Sequence, residues 1–213
     1  MSSELLKEKV VNLLRANIVA NIFKPGQPLN ERELSENFKT SKTPVREAIQ
    51  ILYKEGFVQV IPQKGCFVSQ VDPKDVREIF LIREAIEGIA CREAAARCDH
   101  DQLGLFEKNF KSMKFNNDRH YQASKEAGKK FHQFLTESTG NRRLIEISTN
   151  ALFHLERISS IYAYQYPLSV LAQINAEHLE ILQAIKGGNG KQAESLMRRH
   201  VRNWLKNLKA IIW

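Results

Sequence analysis

Cysteine is scarce in this chain and forms no motif. Cys66, Cys91 and Cys98 are an odd number at spacings that match no zinc or redox pattern, so they read as reduced thiols that do no chemistry. Long apolar runs are missing as well. No stretch approaches the roughly 20 uninterrupted apolar residues of a membrane span, and the opening MSSELLKEK lacks the apolar block of a secretion signal. A cytoplasmic protein with no membrane partner is therefore expected. The second half has no Gly-rich phosphate loop, no strand-helix alternation and no GxSxG elbow, which leaves nucleotide and serine-hydrolase chemistry without a foothold. Acidic residues are the minority charge, 24 against 32 Lys and Arg, and the net charge of +8 suits a polyanionic partner. Yet residues 1–70 hold only ten Lys and Arg against seven Glu, so a nucleic-acid reading must rest on arrangement.

With 43% hydrophobic residues over 213 positions, the chain can fill real cores, and it divides into two expected domains, 1–71 and 72–213. The stretch that organises the first is SKTPVREAIQILYKE, Ser41 to Glu55. Val45, Ala48, Ile49 and Leu52 recur at helical spacing and make one apolar face, while Lys42, Thr43, Arg46 and Gln50 lie opposite. Cations and hydrogen-bonding groups gathered at the start of a helix are the groups that read base edges and phosphates in a major groove. Upstream, an apolar stripe from Leu5 to Ile22 predicts a helix over 4–23, stopped by Pro25-Gly26. Asn30 then caps a short helix over 31–38, with Ser41 or Thr43 capping the next and Pro44 in its first turn. Downstream, FVQVIPQKGCFVSQV predicts a β-hairpin with Lys64 and Gly65 at its tip. Helix, short helix, basic helix and hairpin in that order make a winged helix-turn-helix.

The segment from Pro25 to Val68 resembles the N-terminal domain of GntR-family bacterial transcription regulators, notably in PG, ERELS and KTPVREA. The resemblance implies a dimer on a double-stranded DNA operator. Arg32, Lys42 and Arg46 would contact it, Ser41 and Thr43 would hold backbone phosphates, and Lys64 and Gly65 would bring the wing to the minor groove. Lys42 stands where the family more often has Arg, and Lys lacks the rigid bidentate fork for guanine.

Residues 72–213 read as helical throughout: Asp72 is the cap, and helices are expected near 74–97, 100–115, 119–138, 141–165, 168–187 and 190–212. The whole is mainly α, a winged helix followed by an all-α antiparallel bundle. Three histidines, His132, His178 and His200, each border an apolar stripe, whereas His100, His120 and His154 read as surface or packing residues. Three inward imidazoles suit a divalent metal, although each alone is more often a hydrogen-bonded core residue. This half is similar to the FCD effector domain of the FadR subfamily, on IREAIEGIACREAAA, FHQFLTESTGNRRL and EHLEILQAIKGGNGKQAESLMRRHV. That similarity implies a regulator that answers to a small-molecule acid or metabolite, with repression relieved by ligand the commoner arrangement among relatives. In metal-binding members the ligands match His132, His178 and His200 plus an Asp one turn earlier, and here that position is Gly128. Zinc or nickel on three histidines is thus an expectation that lacks its anionic ligand. Arg83 is either a partner for an acidic ligand or an i,i+4 ion pair with Glu87. Two other readings compete: a metal-dependent hydrolase, for which no HExxH base is in place, and a direct metal sensor.

Overall fold

The computed structural model describes residues 3–116, 118–162 and 166–212, the side chains of 3, 118–120 and 212 excepted. The expected break at Asn117, the side chain of His120 and the expected helix end at 165 lie outside the described residues. Contacts group the chain into two units, Met1–Val76 with Phe153–Ala163, and Arg77–Leu152 with Tyr164–Trp213. The segment Phe153–Ala163, which sequence grouping leaves with the bundle, packs in the first.

In the first unit α1 spans Ser3–Val19, α2 Glu31–Asn37 and α3 Lys42–Lys54. The expected α1 was longer. It ends at Val19 because Asn21 turns into the left-handed region at φ 57°, well before Pro25. Asn30 caps α2 as expected, its side-chain oxygen accepting from the amides of Arg32 and Glu33. The turn between α2 and α3 closes on Lys39 at φ 51°, with the Lys39 amide donating to Glu36 and the Thr40 amide to Ser35, the pairing of a Schellman stop. Val45, Ala48, Ile49 and Leu52 are all but fully buried with Leu14 and Ile18 of α1. Each large aliphatic side chain so buried contributes about 1.5–3 kcal/mol.

Strands β1 (Val58–Ile61) and β2 (Gly65–Val68) form the hairpin, antiparallel with Val58 opposite Val68 and Ile61 opposite Gly65. A third, short stretch joins them. Pro28 bridges Phe67, and backbone bonds run from Gly26 to Val68, from Leu29 to Cys66 and from Val68 to Gln27. Proline sits on this edge because its missing N–H is needed by no ladder there.

The second unit holds most of α4 (Pro73–Arg97), then α5 (His100–Ser112), α6 (Asp118–Glu137), the first half of α7 (Arg142–Tyr162), α8 (Leu168–Lys186) and α9 (Gly190–Ile212). Asp72 caps α4, accepting from the amides of Lys74 and Asp75 while its own amide donates to Asp75. The core layer includes Phe110 and Phe131, edge to face at 5.3 Å, with Leu135, Ile181 and Leu182. α5 stops at Ser112, three residues short of expectation. No described helix is long and apolar enough to cross a membrane.

Candidate functional site

The polar side of α3 is open. Ser41, Lys42, Thr43, Arg46 and Gln50 are exposed, as are Arg32 on α2 and Lys64 and Gly65 on the hairpin turn. Ser41 occupies the N-cap position of α3, yet its hydroxyl makes no capping bond. Arg32 pairs with Glu36 at 3.0 Å on the surface. Arg46 is the better held: its guanidinium grips both carboxylate oxygens of Glu31, at 3.1 and 2.8 Å, and stays 65% exposed. That hydrogen bond lowers the Glu31 carboxyl below its ordinary range. At the hairpin tip Gln63 and Gly65 take φ of 62° and 106°, and a Cβ on Gly65 would meet nothing within 4 Å, so the backbone there is bare.

In the second unit the three histidines expected to converge do so. His132 from α6, His178 from α8 and His200 from α9 are 3% exposed or less, and each offers a ligand nitrogen within 4.8 Å of the others. Ring centroids lie 5.2, 5.2 and 4.6 Å apart, and Nε2 of His132 is 3.2 Å from Nε2 of His178. Two carboxylates back them. Glu177 accepts from His200 Nδ1 at 2.7 Å and is itself held by Asn203 and Gln173. Glu87 lies 2.8 Å from His132 Nδ1, somewhat off the N–H axis, and binds Arg83 through both oxygens at 2.7 and 3.2 Å. Burial opposes its charge, but Arg83 and His132 outweigh burial and bring Glu87 down to about 2.

This arrangement fixes tautomers. A carboxylate at Nδ1 keeps the proton there and leaves Nε2 as a lone pair, the orientation usual for histidines that ligate metals. Nε2 of His200 is buried with no partner among the described residues. The donor set therefore fits a borderline-soft divalent cation such as zinc or nickel, with three neutral nitrogens and no protein anion among them. Arg83 meets Glu87, the second of its two expected fates, but its Nη1 remains buried without a partner, as do Trp204 Nε1 and Asn207 Nδ2. Arg83 also lies over the Trp204 ring at 4.5 Å. Gly128 has a local reason: a Cβ there would stand 3.1 Å from His178 Cε1, closer than most side chains tolerate. The space an aspartate would need is taken by the second histidine.

Sequence reading missed Glu87 and Glu177 as partners of the triad, and it found no carboxylate beside His132 because the carboxylate arrives from α4. Glu87 was visible only as the i+4 neighbour of Arg83. His100 is exposed, and His154 is stacked on Phe57 at 4.1 Å and hydrogen-bonded to the Glu55 carbonyl.

Burial lowers the pKa of His178, His200 and His154 from the ordinary 6.5. The unfolded chain then binds more protons than the folded one as pH falls through that value, so their stability contribution is complete above it and lost below it. With chelator present, the melting temperature should be lower at pH 5.5 than at 7.5. A rise on acidification would contradict the buried neutral state of these rings.

Residues 6–68 match the family described as bacterial regulatory proteins, gntR family, and residues 78–203 match the FCD domain. The chain is 31% identical over 212 residues to a probable D-xylose utilization operon transcriptional repressor of Paenarthrobacter nicotinovorans, covering 96% of this chain and 91% of that protein. It is 28% identical over 208 residues to the HTH-type transcriptional repressor RspR of Escherichia coli K12, covering 97% and 90%. In fold it is similar to E. coli McbR/YncC, with a TM-score of 0.74 at 20% identity over 99% of both chains.

Proposed function

Because this chain belongs to the GntR family of bacterial regulatory proteins, with an FCD domain behind its winged helix, we propose that it is a cytoplasmic homodimer binding a short inverted-repeat operator and released from it by a small acid. It is a transcription regulator rather than an enzyme, as its relatives are. The domains of this reading are 1–71 for DNA and 72–213 for effector and dimerisation. Arg32, Lys42 and Arg46 give the sequence preference, Ser41 and Thr43 hold flanking phosphates, and Lys64 with Gly65 brings the wing to the minor groove. Two-fold symmetry in the protein matches two-fold symmetry in the site.

The observation that carries the effector half is the cluster of buried polar atoms left over around the triad. Arg83 Nη1 and Trp204 Nε1 are such donors, with Arg83 over the Trp204 ring and that ring beside His132 and His200, and buried groups of this kind cost free energy until a partner arrives. A small carboxylate supplies acceptors to those donors. His132, His178 and His200 would hold a divalent metal, which when bound supplies a Lewis-acidic, positively charged seat for the acid. Binding that favours one arrangement of the heads changes operator affinity through the same free energy.

A direct metal sensor is the second reading, favoured by the carboxylates behind His132 and His200. The test uses full-length chain and a duplex selected by it from a random library. Metal analysis should find about one zinc per chain, held by three histidines with one position open, and none after His178→Ala. Operator affinity should then respond to added citrate or another small acid only in the loaded chain. A response to zinc alone would favour the sensor, and no zinc uptake would remove the metal from the account.

A further inference from the structure

Helix α7 is continuous from Arg142 to Tyr162, yet its second half packs with the DNA-reading elements of the first unit. Two of its side chains hold the ends of those elements. The His154 ring lies flat on Phe57, 4.1 Å between centroids and 5° between planes, and its Nε2 donates to the carbonyl of Glu55 at 2.8 Å. Glu55 is the C-cap of α3. The next residue, Gly56, turns the chain toward β1 at φ 85°, and a Cβ on it would stand 3.5 Å from His154 Cε1. Arg157, 1% exposed, donates from Nη2 to the carbonyl of Ser69, the residue that follows β2. Arg15 of α1 also grips both carboxylate oxygens of Glu55, at 2.9 and 3.0 Å, and lies over the ring of Phe153.

A guanidinium is a costly way to fill a core, because its charge must be desolvated. Burial brings Arg157 down to about 10, its Nε has no hydrogen-bond partner among the described residues, and Asp75 is the acid whose charge works against that shift. An apolar residue of similar length would pack there more cheaply. What the arginine adds is a directed bond to one carbonyl at the exit of the wing, as His154 adds one at the end of α3. The sequence interval makes this more than local capping: the residues that fix both ends come from a helix about a hundred positions downstream.

We infer that His154 and Arg157 are positioning residues for operator reading, holding the end of α3 and the exit of the wing in the mutual arrangement that matches the groove. The inference rests on the DNA-reading role of α3. Neither residue touches DNA in it, so specific affinity should depend on them while the phosphate attraction does not.

The experiment takes full-length His154→Ala, His154→Gln, Arg157→Met and Arg157→Lys, with Arg46→Ala as control, and titrates each with the library-selected duplex and an unrelated duplex across a salt series. His154→Ala and Arg157→Met should weaken the selected duplex about tenfold or more, and the unrelated one by no more than about twofold, with the salt slope unchanged. His154→Gln, whose amide can still donate to Glu55, and Arg157→Lys should recover most of the loss. Melting curves accompany each variant. Equal losses on both duplexes, losses that track melting temperature with no recovery in the conservative variants, or no loss at all would reduce His154 and Arg157 to packing residues. An unaffected Arg46→Ala would instead overturn the reading of α3 itself.

Discussion

Arg46→Ala is expected to lose specific operator binding outright while leaving the fold and the oligomer as they are. A bidentate arginine contact to a base is worth about 1–3 kcal/mol of discrimination, and the proposed dimer would make it twice, so the expected loss is about 2–6 kcal/mol in specific affinity. The intramolecular bond to Glu31 adds to this. In the free chain Glu31 occupies the fork through both oxygens, and DNA must displace it. Once Arg46 is truncated, that carboxylate faces the phosphates uncompensated. Stability should barely move, because an exposed pair of this kind contributes about 0–1 kcal/mol. Glu31→Ala makes the complementary case: it releases the guanidinium and removes a negative charge from the reading face, so binding to both specific and unrelated duplexes should tighten. Anisotropy titrations at fixed salt measure both, and wild-type affinity in Arg46→Ala would dismiss α3 as the reading head.

The two sides of α3 were legible because their signals are local. The apolar spacing of Val45, Ala48, Ile49 and Leu52 settles which side of α3 is buried, and everything opposite is exposed by default. Caps at Asn30 and Asp72 were equally local, since each accepts amides two or three residues on. The three histidines were legible as a set, from apolar stripes and the resemblance together. What surrounds them was not. Glu87 reaches His132 from 45 positions away and Glu177 reaches His200 from the neighbouring helix, and neither pairing leaves a periodic trace. The reason for Gly128 was also hidden, because the side chain that excludes a Cβ belongs to α8. The same holds for the second half of α7: its stripe predicts a buried face, but not that Phe57, Glu55 and Ser69 supply the cover.

Glu87→Ala should be the most destabilising single change in the bundle. Arg83 and Glu87 are 1% and 2% exposed and joined by two hydrogen bonds, so removing the acid strands a buried guanidinium. Breaking such a pair costs about 3–5 kcal/mol, against a whole-domain stability of about 5–15 kcal/mol. Arg83 keeps only its stacking on Trp204 and Phe80. The double variant Arg83→Met/Glu87→Leu removes both charges and fills the space with apolar atoms, and denaturation midpoints should recover much of what the single change loses. Zinc affinity should not recover with them. His132 loses the carboxylate at Nδ1 in both variants, and loss of such a partner weakens a metal site about 10–100-fold. The two measurements are therefore expected to separate, stability returning in the double variant and zinc binding staying weak. If zinc binding returned along with stability, Glu87 would be a counterion for Arg83 alone, and the carboxylate behind His132 would have no part in holding the metal.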